Sequence, residues 1–168
     1  LELSAGNIGY SQLRGMLTGA LSDRLSGKLS FNKKNRDGYI DSVMDSNVST
    51  GDIDSSGVRA QFLYIPADNI EALLTLDYGQ DKRSGGVAVP SSEQGLLGVY
   101  LQDPALPKAG FYQNYLDQPG QTDMASKGAS LRLDIDTSIG TITSLTAYRY
   151  SDTAFNNISF GTSIEAFP

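Results

Sequence analysis

A two-residue alternation of apolar and polar side chains, repeated along the chain, limits most sharply what this polypeptide can fold into. Leu25, Gly27, Leu29 and Phe31 fall on one parity, and Ser26, Lys28, Ser30 and Asn32 on the other. Ile70, Ala72, Leu74, Leu76 and Tyr78 oppose Glu71, Leu73, Thr75, Asp77 and Gly79. Ala129, Leu131, Leu133 and Ile135 oppose Ser130, Arg132, Asp134 and Asp136. Val58, Ala60, Phe62 and Tyr64 follow the same rule, with Leu63 and Ile65 as apolar lapses on the polar side. Period 2 is the signature of a strand with one greasy and one polar face. The stretch from Thr141 to Arg149 alternates less cleanly, but its Thr and Tyr content favours a strand. Leu1 to Ala5 reads as the end of another.

One segment admits two readings. Leu13, Leu17, Leu21, Leu25 and Leu29 are spaced four apart, which suits a helix, while Leu13, Gly15, Leu17, Gly19 and Leu21 also alternate. Gly15, Gly19 and Gly27 would each cost about 1 kcal/mol inside a helix. Ser22-Asp23 is a natural turn, so a hairpin is expected. The same glycines make Gly15-x-x-x-Gly19 a poor helix-dimer motif, which needs an apolar helix of roughly 20 residues.

The connections have a layout of their own. Ser22-Asp23-Arg24, Pro66-Ala67-Asp68-Asn69 and Ser138-Ile139-Gly140 are tight turns. The intervening connections, roughly 35–55 and 82–126, are long. Short and long alternate, which in an antiparallel meander places all tight turns at one end and all long loops at the other. Outer-membrane barrels are built this way. Strands of about 9–12 residues are expected, enough for a tilted strand to cross a bilayer. Phe62 and Tyr64 sit beside a tight turn, while Phe31, Tyr78, Tyr148 and Tyr150 sit toward the long-loop ends, as two interfacial aromatic girdles would. The expected fold is therefore all-β: an antiparallel up-and-down meander, forming a partial transmembrane barrel. Arg14, Lys28, Arg59, Asp77, Arg132 and Asp134, with Glu71 and Asp136, are the polar residues expected to face its lumen.

Composition removes several chemistries. The 168 residues include no Cys, no His and no Trp. Thiol nucleophiles, thiolate metal sites, imidazole bases and a Ser-His-Asp triad are excluded. A formal charge of −6 argues against wrapping nucleic acid. Two acidic motifs remain. Asp52-Ile53-Asp54-Ser55-Ser56-Gly57 resembles the start of a calcium loop, but the twelfth position is Leu63 where a bidentate Glu is needed. An acidic surface loop is the expected reading, and no metal or cofactor is expected. Asp134-x-Asp136 places two carboxylates about 7 Å apart on one face. A glycoside hydrolase uses such a pair; here a polar row with Arg132 as charge partner is expected, and not an enzyme.

Taken as a set, certain segments resemble the early barrel of TonB-dependent outer-membrane receptors. They are Asn7-Ile8-Gly9-Tyr10, the run from Leu13 to Ser30, Asn35-Arg36-Asp37-Gly38-Tyr39-Ile40, Leu74-Thr75-Leu76-Asp77-Tyr78, and Thr143-Ser144-Leu145-Thr146-Ala147-Tyr148-Arg149. The resemblance covers nearly the whole chain. It implies uptake of a scarce nutrient of siderophore, vitamin or oligosaccharide class across the outer membrane of a Gram-negative bacterium, energised through TonB. It also implies a plugged barrel of about 22 strands. Residues 1–168 would be a fragment of that barrel domain, with the plug, the TonB-contacting parts and most strands elsewhere. The implied partners are outer-membrane lipid, the remaining barrel and plug, TonB through those other regions, and a small nutrient cargo. In the long loop, Tyr100, Tyr112 and Tyr115 are the cargo-contact candidates, since Tyr supplies area and a hydroxyl; the same rings would equally pack the loop onto itself. Competing expectations are a small outer-membrane structural or adhesin barrel and a soluble β-sandwich binding module. The sandwich would bury its leucines between two sheets.

Overall fold

The computed structural model of the protein describes residues 1–84, 109–116 and 118–156. They are all strand and turn, without helix, in two sheets. The larger sheet contains β1 (Glu2–Ala5), β2 (Ser11–Ser22), β3 (Leu25–Arg36), β6 (Ile53–Ala67), β7 (Ile70–Ser84), β9 (Gln121–Thr137) and β10 (Gly140–Asn156). These lie in chain order, each antiparallel to the next. The smaller sheet contains β4 (Ile40–Ser42), β5 (Ser49–Thr50) and β8 (Gln113–Asn114), in the order β5-β4-β8.

The Leu13–Leu29 segment is a hairpin, with Leu17 opposite Leu29 and Gly19 opposite Gly27. The turns Asp23-Arg24, Asp68-Asn69 and Ser138-Ile139 are two residues each, tighter than the three- and four-residue turns expected. The ladder borrows the flanking residues, and bulges at Ala20/Ser22 and Tyr64/Ala67 absorb the mismatch. The second bulge has a local cause: Pro66 has no N–H to give to the β7 ladder.

β2 and β3, with 12 residues each, reach the upper end of the expected 9–12, while β6 and β7 have 15 and β9 and β10 have 17. The excess lies at the long-loop end. On the apolar face of β7, Ile70, Ala72, Leu74, Leu76 and Tyr78 give way to Gln80 and Lys82. The stretch from Ile70 to Tyr78 is paired with Ile135 to Lys127 on β9, which in turn pairs with Ile142 to Tyr150 on β10. Nine residues is the length of one transmembrane β-strand, about 9–11. Beyond it the backbone keeps pairing, because ladder hydrogen bonds do not depend on what the side chains are. The strict alternation of connection lengths also gains an exception: β1 joins β2 through residues 6–10 at the long-loop end. That turn places Ile8 at φ 56°, a left-handed conformation disfavoured for a β-branched side chain.

Cross-strand register settles which side chains share a face. Leu17, Leu29, Ala60, Leu76, Ala129 and Tyr148 form one continuous row, and Phe31, Val58, Tyr78, Lys127 and Tyr150 the next. Among the described residues nothing is layered over this face. Leu17 is 69% exposed, Leu131 47% and Tyr148 65%. No residue of β2, β3, β6, β7, β9 or β10 is buried. The buried side chains lie instead in the smaller sheet and its flanks.

Replacing Ile8 with Asn, which tolerates the left-handed region, is expected to stabilise the fold by about 1 kcal/mol, read as a higher urea midpoint at unchanged slope.

Candidate functional site

Two surfaces carry the residues singled out above: a cap built from the long loops, and the polar face of the larger sheet.

The cap forms where residues 37–52 and 109–120 meet. β4 and β5 make a short antiparallel hairpin within the first loop, and β8 of the second loop adds in parallel beside β4. Asn114 is completely buried and fastens the two loops together. Its side-chain amide donates to the Thr50 hydroxyl at 3.2 Å, and its Oδ1 accepts the Leu116 N–H at 3.2 Å. Its backbone carbonyl accepts the Val43 N–H at 2.9 Å. Ile40, Val48 and Leu116 supply the apolar filling around it. A buried polar side chain with all these bonds made specifies one arrangement, while losing a partner would cost the full desolvation of the other.

The cap is stitched to the strand ends. The Gly51 N–H donates to Ser84 Oγ at 2.7 Å, and the Ser84 N–H donates to Asp52 Oδ1 at 2.8 Å. Arg36 donates to the Gly51 carbonyl at 2.6 Å and lies 4.8 Å from the centre of the Tyr39 ring. Gly51 has φ 87°, and a Cβ there would fall 2.5 Å from that ring, so only glycine fits.

The three tyrosine candidates separate. Tyr115 is buried at 3% exposure, and its hydroxyl accepts the Ala109 N–H at 3.1 Å. Its ring packs inside the cap, the self-packing alternative for these loop aromatics. Tyr112 is 59% exposed, edge-on to the 81%-exposed Phe111 at 4.9 Å and to Tyr39 at 6.2 Å. This aromatic pair on a stitched cap offers area to an apolar or ring-bearing ligand. Tyr100 lies outside the described residues. The Asp52 motif is absorbed into these contacts, with Asp52 holding Ser84 and Asp54 paired to Lys33. Among the described residues no group of three or more acidic side chains is placed to hold a metal ion.

The register places Arg14, Lys28, Arg59, Asp77, Arg132 and Asp134 on one face, opposite the apolar one. Near the tight turns that face is acidic, with Glu71 directly opposite Asp134 and Asp136 beyond. The two aspartates are occupied: Arg132 Nε lies 2.8 Å from Asp134, Thr143 donates to Asp134 at 2.6 Å, and Thr141 donates to Asp136 at 2.6 Å. Asp134 and Asp136 thus sit in a bonded polar row, with Arg132 as the charge partner of Asp134. Higher up, Gly57 faces Gly79 across the ladder. The missing side chains leave a shallow depression of about 580 Å³, lined by Arg14, Lys28, Arg59, Asn32 and Arg149 among others. Arg149 and Gly128 escaped the sequence reading. Arg149 belongs to the strand whose alternation was too irregular to assign a face, and a glycine in a strand gives no sign of what passes over it.

Comparison with family models finds no match, and neither does comparison with curated proteins or with solved structures.

Asn114→Ala is expected to destabilise the cap by about 1–3 kcal/mol, leaving the Leu116 N–H without its acceptor and removing the donor to the Thr50 hydroxyl. Hydrogen exchange would show faster exchange at the Val43 and Leu116 amides and unchanged protection in β7 and β9.

Proposed function

We propose that this chain is part of the wall of a transmembrane β-barrel in the outer membrane of a Gram-negative bacterium. We assign that barrel to an active transporter that takes up a scarce nutrient of siderophore, vitamin or oligosaccharide class, with energy coupled through TonB. One observation carries the barrel reading: a wide antiparallel meander whose alternating, mostly apolar side chains form a continuous face on which, among the described residues, nothing is layered. Large contiguous apolar faces are rare on soluble monomers, and a lipid hydrocarbon core is the natural cover for a band of this length. A β-sandwich would seat a second sheet on these leucines; among the described residues there is none. Among the described residues β10 has no partner on its outer edge, which supports further strands beside it, since an open edge is not tolerated in lipid.

The transport reading rests on the sequence resemblance to TonB-dependent receptors, and it is supported by the cap. Two long loops locked together above the strand ends, presenting Phe111 and Tyr112, suit a surface that meets cargo arriving from outside. In this reading the polar face lines the lumen, where a plug and the remaining wall would face it.

Folding into lipid vesicles tests the barrel. Leu74→Arg, at the centre of the apolar stretch, is expected to lower stability by about 2–4 kcal/mol, while Thr75→Arg on the opposite face changes it little. Equal costs at the two positions, or a monomeric folded chain in detergent-free buffer, would overturn the membrane reading. Uptake by cells carrying the intact receptor, compared across the three cargo classes with Phe111→Ala/Tyr112→Ala, tests the transport. A loss confined to one class is expected, and no uptake dependence on the receptor would sink it.

A further inference from the structure

The mid-height depression on the polar face has an unusual pairing of charges. Arg59 and Asp77 are direct cross-strand neighbours, the arrangement in which an ion pair normally forms. They do not pair. Asp77 is taken by Arg149, which reaches it from the far side of an intervening strand, at 3.0 and 3.1 Å to the two carboxylate oxygens. The residue between them on β9 is Gly128, opposite both Asp77 and Arg149. A Cβ at Gly128 would stand 3.1 Å from an Arg149 nitrogen and 3.3 Å from the Asp77 oxygen. With no side chain there, the guanidinium crosses close over the strand without having to give way.

The consequence falls on Arg59. With its natural partner engaged, Arg59 has no ion-pair or hydrogen-bond partner among the described residues, and neither does Lys28. Lys28 faces Gln61, so it is a diagonal neighbour of Arg59, about 7 Å away. Arg14 lies on the other side of the depression, with Glu2 at 3.6 Å. Asn32 and Ser30 add neutral hydrogen-bonding groups to the lining, and the Gly57–Gly79 pair leaves its floor open. Two unpaired cations at this spacing, over a recess with room for a small molecule, match a solute carrying two anionic groups. Arg presents a planar fork for carboxylate or phosphate, and Lys a point charge.

We infer that Lys28 and Arg59 form a binding site for a small multivalent anion bearing carboxylate or phosphate groups, kept open by the bridge from Arg149 to Asp77 over Gly128. The inference requires that this face be the aqueous one, as the barrel reading has it, but not that the barrel transport anything.

Calorimetric titration of the full folded chain in detergent, with citrate and separately with inorganic pyrophosphate, tests it. At least one probe is expected to bind saturably, and more weakly as salt rises; which one binds distinguishes carboxylate from phosphate. Arg59→Gln and Lys28→Gln should each weaken binding about fivefold or more. Gly128→Val keeps every charge but blocks the crossing, so Asp77 turns to Arg59 and affinity falls comparably. Arg149→Gln frees Asp77 in the same way without a steric change, and adding Asp77→Asn to it should restore affinity. No saturable binding of either probe, equal affinity of Arg59→Gln and the unaltered chain, or failure of Asp77→Asn to restore binding would each overturn the proposal. Because binding is read directly, these outcomes are separate from uptake: a site that binds citrate in a protein that transports nothing would retain this inference and discard the transport reading.

Discussion

A sheet one layer thick satisfies its backbone sideways and leaves its faces to be covered by something else. Every strand of the larger sheet pairs its peptide groups with its neighbours, and so tolerates either a polar or an apolar row on each face. What it does not do is bury side chains. Leu17, Leu29, Leu74, Leu76, Leu131 and Leu133 line one face in register, beside alanines and aromatic rings of the neighbouring strands. Hydrophobic burial is the dominant favourable term in folding, so a cover for this face decides whether the sheet is stable. Lipid supplies such a cover without any specific contact, which is why alternation alone is a sufficient code for a membrane wall.

Strand length and cap follow from that division of labour. The apolar stretch ends at Tyr78, yet β7 continues to Ser84. The polar continuation lifts the loops clear of the aromatic row and ends where Ser84 and Gly51 fasten the cap down. The cap needs its own small core because loops this long lose their backbone freedom only if something binds them. Ile40, Leu116 and the hydrogen-bonded Asn114 supply it. Among the described residues, conventional burial thus occurs in the loops and not in the larger sheet.

The meander was readable from the sequence because each residue's side is a local property, fixed by its parity. Even the leucines spaced four apart were decided locally, by Gly15, Gly19 and Gly27. The cap was not readable. Its key pairing joins Asp41 to Gln113 and Ser42 to Asn114, in parallel and more than 70 residues apart, and nothing in either loop announces the other. Tyr112 and Tyr115 illustrate the limit. They are three residues apart in one loop and alike in chemistry, but one is exposed and the other buried, because a two-residue strand fixes the direction of the chain between them.

Charge shows the same limit at a larger scale. A net charge of −6 argues against anionic partners for the chain as a whole, but a ligand meets a surface and not a sum. Glu71, Asp134 and Asp136 gather near the tight turns, while Arg14, Lys28, Arg59 and Arg149 gather at mid-height. Which of those cations is free is then decided by who can reach Asp77, and that depends on one glycine in the strand between. Composition counts the charges; register and a missing Cβ determine which of them remain unpaired.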